Sequence, residues 1–330
     1  MDRRTFCLSA ASSAFSGAFL SATAAHAAEA YPSRPVRIIV PYAAGGGPDV
    51  MVRQFGPKLG EALGQATVIE NKVGAGGVLA AQYAAQAQPD GYTVLVGSNS
   101  HLIQKILQPS LKFDPTTEFI PVTTIGTSPS VLVVAANSPY RSVEELVAAV
   151  KAKPGKLNYG SGGIGSAAHL GGATLMSLVN GNAVHVPLKG SVEIPLSLLR
   201  GDTDFAFTIA GTAIPQVKGG KLRALAVTSA APLKELPNVP PLRDVMRSEL
   251  TVQEFWFGLW VPLKTPAEVI AKLYSSTIQA LGDPAVKTAF ELTGNSVIHS
   301  DSPKADAAFV QAENRKWTEI IKLTGVTASS

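Results

Sequence analysis

Cysteine is almost missing: Cys7 stands alone in 330 residues, beside four methionines. One thiol cannot build a disulfide framework or a multi-thiolate metal site, because both need several sulfur atoms close in space. Charge is sparse too, at 16% of residues, and nearly balanced between 28 basic and 24 acidic side chains. That excludes a basic nucleic-acid-binding tail and a disordered polyelectrolyte. Beyond residue 27 no segment reaches the ~20 apolar residues that a membrane-spanning helix needs. The common catalytic signatures are also missing: the chain has no H-E-x-x-H, no G-x-S-x-G elbow and no G-x-x-x-x-G-K-[ST] loop. Past residue 27 the histidines are His101, His169, His185 and His299, and their spacing supports no metal site.

Hydrophobic residues, by contrast, make up 46% of the chain, and glycines number thirty. At ~150 residues per domain the length suggests two domains. The beginning reads as a leader. Met1 to Arg4 are basic, Phe6 to Ala24 are small or apolar without charge, and Ala25-His26-Ala27 fits a small-x-small cleavage site. These features predict an export signal over residues 1–27, removed after Ala27 and taking the only cysteine with it. A cysteine-free product suits the periplasm. The run Arg3-Arg4-Thr5-Phe6 leaves twin-arginine export open beside the general secretory route.

The remaining chain alternates strand and helix. Val36 to Val40, Ala66 to Asn71, Tyr92 to Gly97, Val131 to Ala136, Leu157 to Gly160, Ala183 to Pro187, Phe205 to Ile209 and Leu222 to Thr228 read as short strands. Helical patterns fall between many of them, which predicts α/β architecture with parallel-rich sheets covered on both faces. Phe119 to Val134 holds two β-rich runs around Thr127-Ser128-Pro129-Ser130 and reads as a crossover between domains. The aromatic strand Glu254 to Val261 runs back, and Pro266 to Gly325 reads as helical throughout. The expected division is one lobe of residues 28–127 plus 251–330 and a second of residues 128–250, with a hinge and a cleft between them.

Three glycine-rich loops carry the chemistry. Gly160-Ser161-Gly162-Gly163-Ile164-Gly165 formally matches the dinucleotide fingerprint G-x-G-x-x-G. Its second requirement fails, because the next strand, Ala183-Val184-His185-Val186-Pro187, offers no acidic residue at the ~20-residue spacing for a ribose. What survives is the physics of backbone N–H groups converging before a helix, which favours an anion. Tyr42, Ala44, Gly45, Gly46 and Gly47 hold the same position after the first strand, with Asp49 read as completing the helical turn. The third loop, Val73 to Gly77, reads as structural. Candidate ligand contacts are therefore Tyr42, Ala44, Gly45, Gly46 and Gly47 on one side, and Ser161, Gly162, Gly163, Ile164, Gly165, Ser166 and His169 on the other. Ser98, Asn99 and Thr208, at other strand ends, complete the set, and Phe255-Trp256-Phe257 is a candidate aromatic wall.

The residues also carry a family likeness. Tyr31-Pro32-Ser33-Arg34-Pro35-Val36-Arg37-Ile38-Ile39-Val40-Pro41-Tyr42, Gly45 to Asp49, Pro89-Asp90-Gly91-Tyr92-Thr93, Tyr159 to Ser166 with His169-Leu170, His185-Val186-Pro187, and Gly220 to Val227 resemble the substrate-binding receptors of tripartite tricarboxylate transporters, the Bug receptors. The resemblance implies a two-lobed periplasmic binding protein of type II-like architecture that closes on a small carboxylate and delivers it to membrane permease subunits. It also implies that the loop after the first strand and the loop before Ser166 grip the ligand carboxylate from opposite lobes. Pro48, where relatives often carry Thr or Ser, removes a hydroxyl and an N–H, so an aromatic carboxylate stands beside aliphatic di- and tricarboxylates as the expected ligand. The reading includes no cofactor, no metal, no nucleic acid and no turnover, and a monomer. An exported α/β enzyme using the loops for a phosphate or nucleotide, or a periplasmic sensor subunit, remains the alternative.

Overall fold

Strand β1 (Val36–Val40) buries Val36, Ile38, Ile39 and Val40 completely and pairs in parallel with β2 (Thr67–Asn71) and β3 (Thr93–Ser98). Helix α1 (Gly47–Leu63) and helix α2 (Val78–Ala85), the latter entered through a 3-10 turn at Ala75–Gly77, connect them. Helix α3 (Asn99–Leu107) follows β3 directly, although Ser98 to His101 read only as a polar strand end. The Ser98 N–H donates to His101 Nδ1 at 3.2 Å, closing that first turn. These coordinates are a computed structural model describing residues 31–328, which belong to one compact unit; the export signal lies outside the described residues.

Strand β4 (Phe119–Ala135) is one 17-residue strand where the sequence suggested two runs and a crossover. Register shifts near Pro121 and between Thr124 and Gly126 absorb the irregularity. Its first part pairs antiparallel with β9 (Glu254–Pro262), and its last part pairs antiparallel with β7 (Phe205–Ile209) and β8 (Leu222–Val227). Between these lie α4 (Val143–Ala152), β5 (Asn158–Ser161), α5 (Ala167–Val179), β6 (Val184–Pro187), α6 (Ile194–Arg200), α7 (Ala210–Lys218) and α8 (Leu242–Met246). Helices α9 (Ala267–Gly282), α10 (Pro284–Leu292) and α11 (Pro303–Thr324) follow, but the end is not helical throughout: residues 293–302 form a turn and an extended stretch that bridges Thr127 through Ser296.

The strands form one mixed sheet in the order β2-β1-β3-β9-β4-β7-β5-β6, with β8 also on β4. The expected parallel pairing holds at both outer regions, where β1 joins β2 and β3 and β5 joins β6 and β7. The centre is antiparallel, because β9 returns to pair between β3 and β4.

Side-chain alternation divides the core. Val36, Ile38 and Val40 face a cluster with Phe55, Phe257 and Phe290, while Ile39 and Leu95 face Trp256 and Trp260 on the other side. A separate cluster draws on residues 131–242, including Val131, Leu175, Ile194, Phe205 and Phe207. Helix α11 braces the middle of the molecule. Asp306, fully buried, accepts from the Thr124 N–H and hydroxyl at 2.7 Å each, and Trp317 packs with Ile103 and Leu170.

Candidate functional site

The loop after β1 is fastened from behind. Asp49 is 1% exposed. It accepts from the Gly45 N–H at 2.8 Å, from Arg53 Nε at 2.9 Å and from Asn71 Nδ2 at 2.7 Å. Burial pushes its pKa up, but the Arg53, Asn71 and Gly45 bonds outweigh that and hold the carboxyl below its ordinary range. Asn71 also donates to the Tyr42 carbonyl at 2.9 Å. The Tyr42 hydroxyl is 2.6 Å from Ser98 Oγ, and its ring meets Phe255 edge-on at 5.8 Å.

The loop after β5 has its own supports. Gly163 and Gly165 take φ values of +118° and +74°, a region that favours glycine. Ser161 Oγ accepts from the Gly163 N–H at 3.1 Å and lies 2.7 Å from His185 Nε2. The Ser166 hydroxyl accepts from the His169 N–H at 3.3 Å, capping α5. His169 Nδ1 accepts from the Gly165 N–H at 3.1 Å.

These loops border a cavity of about 460 Å³ at the carboxyl ends of strands from both regions of the sheet. Tyr42 and Gly46 line one side; Gly162, Gly163, Ile164, Gly165 and Ser166 line the other, with Thr208 on the wall. The sequence brought eight candidates to one place. The other seven do not line the cavity. Gly45 gives its N–H to Asp49, Ala44 lies in the same turn, and Gly47 packs so closely that an added Cβ would sit 2.6 Å from Ile209 Cδ1. Ser98 serves Tyr42, Asn99 donates to the Glu254 carbonyl at 3.2 Å, and Ser161 and His169 brace their loop. The aromatic wall is corrected as well. Phe255 lines the cavity, whereas Trp256 points to the opposite face of β9 and donates to Glu313 Oε2 at 2.8 Å.

Several lining residues escaped the sequence reading. The third glycine loop contributes Val73, Gly74, Ala75, Gly76 and Gly77, so it is more than a turn. Gln104 and Gln108 line the cavity from α3 and its cap, continuing at four-residue spacing from Ser100, which the sequence reading had placed with the polar strand end; the polar helical stripe was visible in principle. Gln104 Nε2 donates to the Ile164 carbonyl at 3.2 Å and so touches the loop across the cavity.

The electrostatics follow from the backbone. The lining includes residues at the starts of α1, α2, α3, α5 and α7, and Gly190 and Ser191 from the turn leading into α6. Helix starts present unpaired N–H groups and positive potential. No Asp or Glu is among the described lining residues, and Lys189 is the one charged side chain there. Thr208 Oγ1 is buried on this wall with no hydrogen-bond partner. Tyr42, Phe207 and Phe255 supply apolar surface beside these donors. The arrangement can hold an anionic group by backbone and hydroxyl donors and a carbon skeleton by contact.

Residues 51–326 match the family described as the tripartite tricarboxylate transporter family receptor. The chain belongs to that family. BugT of Bordetella pertussis is 32% identical over 301 residues, which is 90% of this chain and 91% of that protein. Two solved proteins from Rhodopseudomonas palustris share the fold. Rpa4515 with adipate has a TM-score of 0.82 at 28% identity, covering 90% of this chain and 99% of the other. MatC with bound malate has a TM-score of 0.79 at 30% identity, covering 88% and 100%. The solute-binding receptor reading of the sequence therefore stands, on a mixed α/β periplasmic-binding-protein fold.

Proposed function

We infer that this receptor binds a small organic carboxylate in the periplasm and hands it, unchanged, to membrane permease subunits. The cavity carries the inference: helix starts surround a volume with no acidic side chain, and Thr208 Oγ1 is buried there without a partner. Backbone donors at Gly46 and at Gly162 to Ser166 would take the carboxylate, and Tyr42, Phe207 and Phe255 would flank the skeleton. Adipate and malate in the two solved relatives support this ligand class. Residues 28–127 with 251–330, and residues 128–250, would act as two lobes closing by hinge motion at β4 and the segment before β9, in a monomer. No helix among the described residues is long and apolar enough to cross a membrane, so delivery would need separate membrane subunits.

Calorimetry with a panel of aliphatic and aromatic acids should give saturable one-to-one binding, with mass spectrometry recovering the acid unaltered. Failure of every carboxylate, or recovery of a transformed product, overturns the reading.

A further inference from the structure

Beneath the loop that follows β5 three rings gather. The His169 and His185 imidazoles stack 3.8 Å apart, 6° from parallel, and the Tyr159 ring lies beside the pair, 5.1 Å from His185 and 6.3 Å from His169. Each histidine holds one end of the loop. His185 Nε2 lies 2.7 Å from Ser161 Oγ, which also bonds Gly163, and His169 Nδ1 accepts from the Gly165 N–H. Between these anchorages the chain is Gly162, Gly163 and Ile164, all lining the cavity. Two flexible glycines there mean that the bonds at the ends, not intrinsic stiffness, keep the loop in one shape.

Building on the carboxylate-receptor reading, we propose that His169 is a positioning residue: its unprotonated Nδ1, steadied by the His185 ring, holds Gly165 and its neighbours in the shape that binds the anion, and protonation releases them. A neutral imidazole accepting at Nδ1 carries its proton on Nε2. An imidazolium has N–H on both nitrogens and no acceptor. A second proton therefore sets two donors face to face at Gly165 and a cation against the neighbouring ring. The titratable side chains facing His169 are Tyr159 from β5 and His185 from β6; β7 and α11 pack against α5 through Phe207 at Gly171 and Trp317 at Leu170. Burial first, and His185 second, lower the His169 pKa to about 4, which keeps the ring neutral near pH 7.

Two variants separate positioning from packing. Asn at this position offers Oδ1 where Nδ1 stood and does not titrate, whereas Leu fills space without an acceptor. In ligand-free, ¹⁵N-labelled wild type, the Gly165 amide resonance should shift with the His169 ring as pH falls toward 4, and in His169→Asn it should stay flat. With adipate as probe at pH 7, His169→Leu should weaken binding by about tenfold, the loss expected for one unsatisfied buried donor. His169→Asn should recover most of that loss. The proposal is overturned if the Gly165 amide ignores the His169 titration, if His169→Leu binds adipate as tightly as wild type, or if His169→Asn is as weak as His169→Leu. Because the amide titration needs no ligand, it decides the positioning role even if adipate does not bind.

Discussion

Asp49 shows how a single residue can be essential to a ligand loop without facing the ligand. Its carboxylate gathers the Gly45 N–H, Arg53 and Asn71, and Asn71 in turn holds the Tyr42 carbonyl. Replacing Asp49 by Ala removes the buried acceptor shared by the half-buried Asn71, the exposed Gly45 N–H and Arg53. We expect Asp49→Ala to lose about 2–3 kcal/mol of stability, the range for hydrogen bonds to a charged group. Urea unfolding measures this, and an unchanged midpoint would show that the loop stands without its brace. In mildly acid solution other residues set the stability. His101 and His169 are both held neutral by burial, with pKa values lowered to about 4. The unfolded chain takes up those protons near pH 6.5, before the folded chain does. The histidines' share of the stability must therefore fall as pH drops from about 6.5 to about 4, by up to ~1.4 kcal/mol per pH unit for each, and level off below, where the lowered Asp49 carboxyl begins to cost stability instead. Thermal unfolding across that window checks the slope. Replacing His101 and His169 by Asn together should flatten it.

At the scale of elements, close approach between helix and strand sets what each position tolerates. Gly172 on α5 lies against Tyr159 of β5, and a Cβ there would meet the ring at 2.3 Å. Gly172→Ala must displace the Tyr159 ring that flanks the stacked histidines, at a cost of about 1–3 kcal/mol for overpacking. A melting temperature equal to wild type would show that the ring gives way freely. The same scale explains what could be read from the chain. The outer strands announce themselves as short β-branched or apolar runs next to glycine loops, so β1, β3, β5 and β7 and the loops beside them were legible. Helix α3 was hidden because its first turn, Asn99-Ser100-His101, is polar and lies at a strand end, where loops are expected. With α3 went Gln104, a residue that reaches across the cavity. The single span of β4 was hidden because Pro121 and Pro129 resemble breaks, whereas the strand absorbs them with register shifts and at its change of partners. Trp256 was misplaced by one residue of alternation: its neighbour Phe255 faces the cavity.

For the whole molecule, the contact between Gln104 and the Ile164 carbonyl joins an early segment of the chain to the loop after β5, across the cavity. Gly76 and Gly165 crowd the same side chain, since a Cβ on either would lie within 3.0 Å of Gln104 Nε2. If a closed cleft is what binds, Gln104→Ala should favour the open form and weaken ligand binding by about fivefold, the worth of one ~1 kcal/mol hydrogen bond. Calorimetry at pH 7 decides this; an unchanged dissociation constant would exclude Gln104 as a closure contact. The order of strands in the sheet has a consequence of another kind. Strand β3 pairs with β9 at Ser98↔Phe257, and β4 pairs with β9 at Phe119↔Pro262, so β3 and the first part of β4 wait for a partner encoded well over a hundred residues later. Non-local pairings of this length make folding slow. A ribosome must finish most of the chain before this half of the sheet can close.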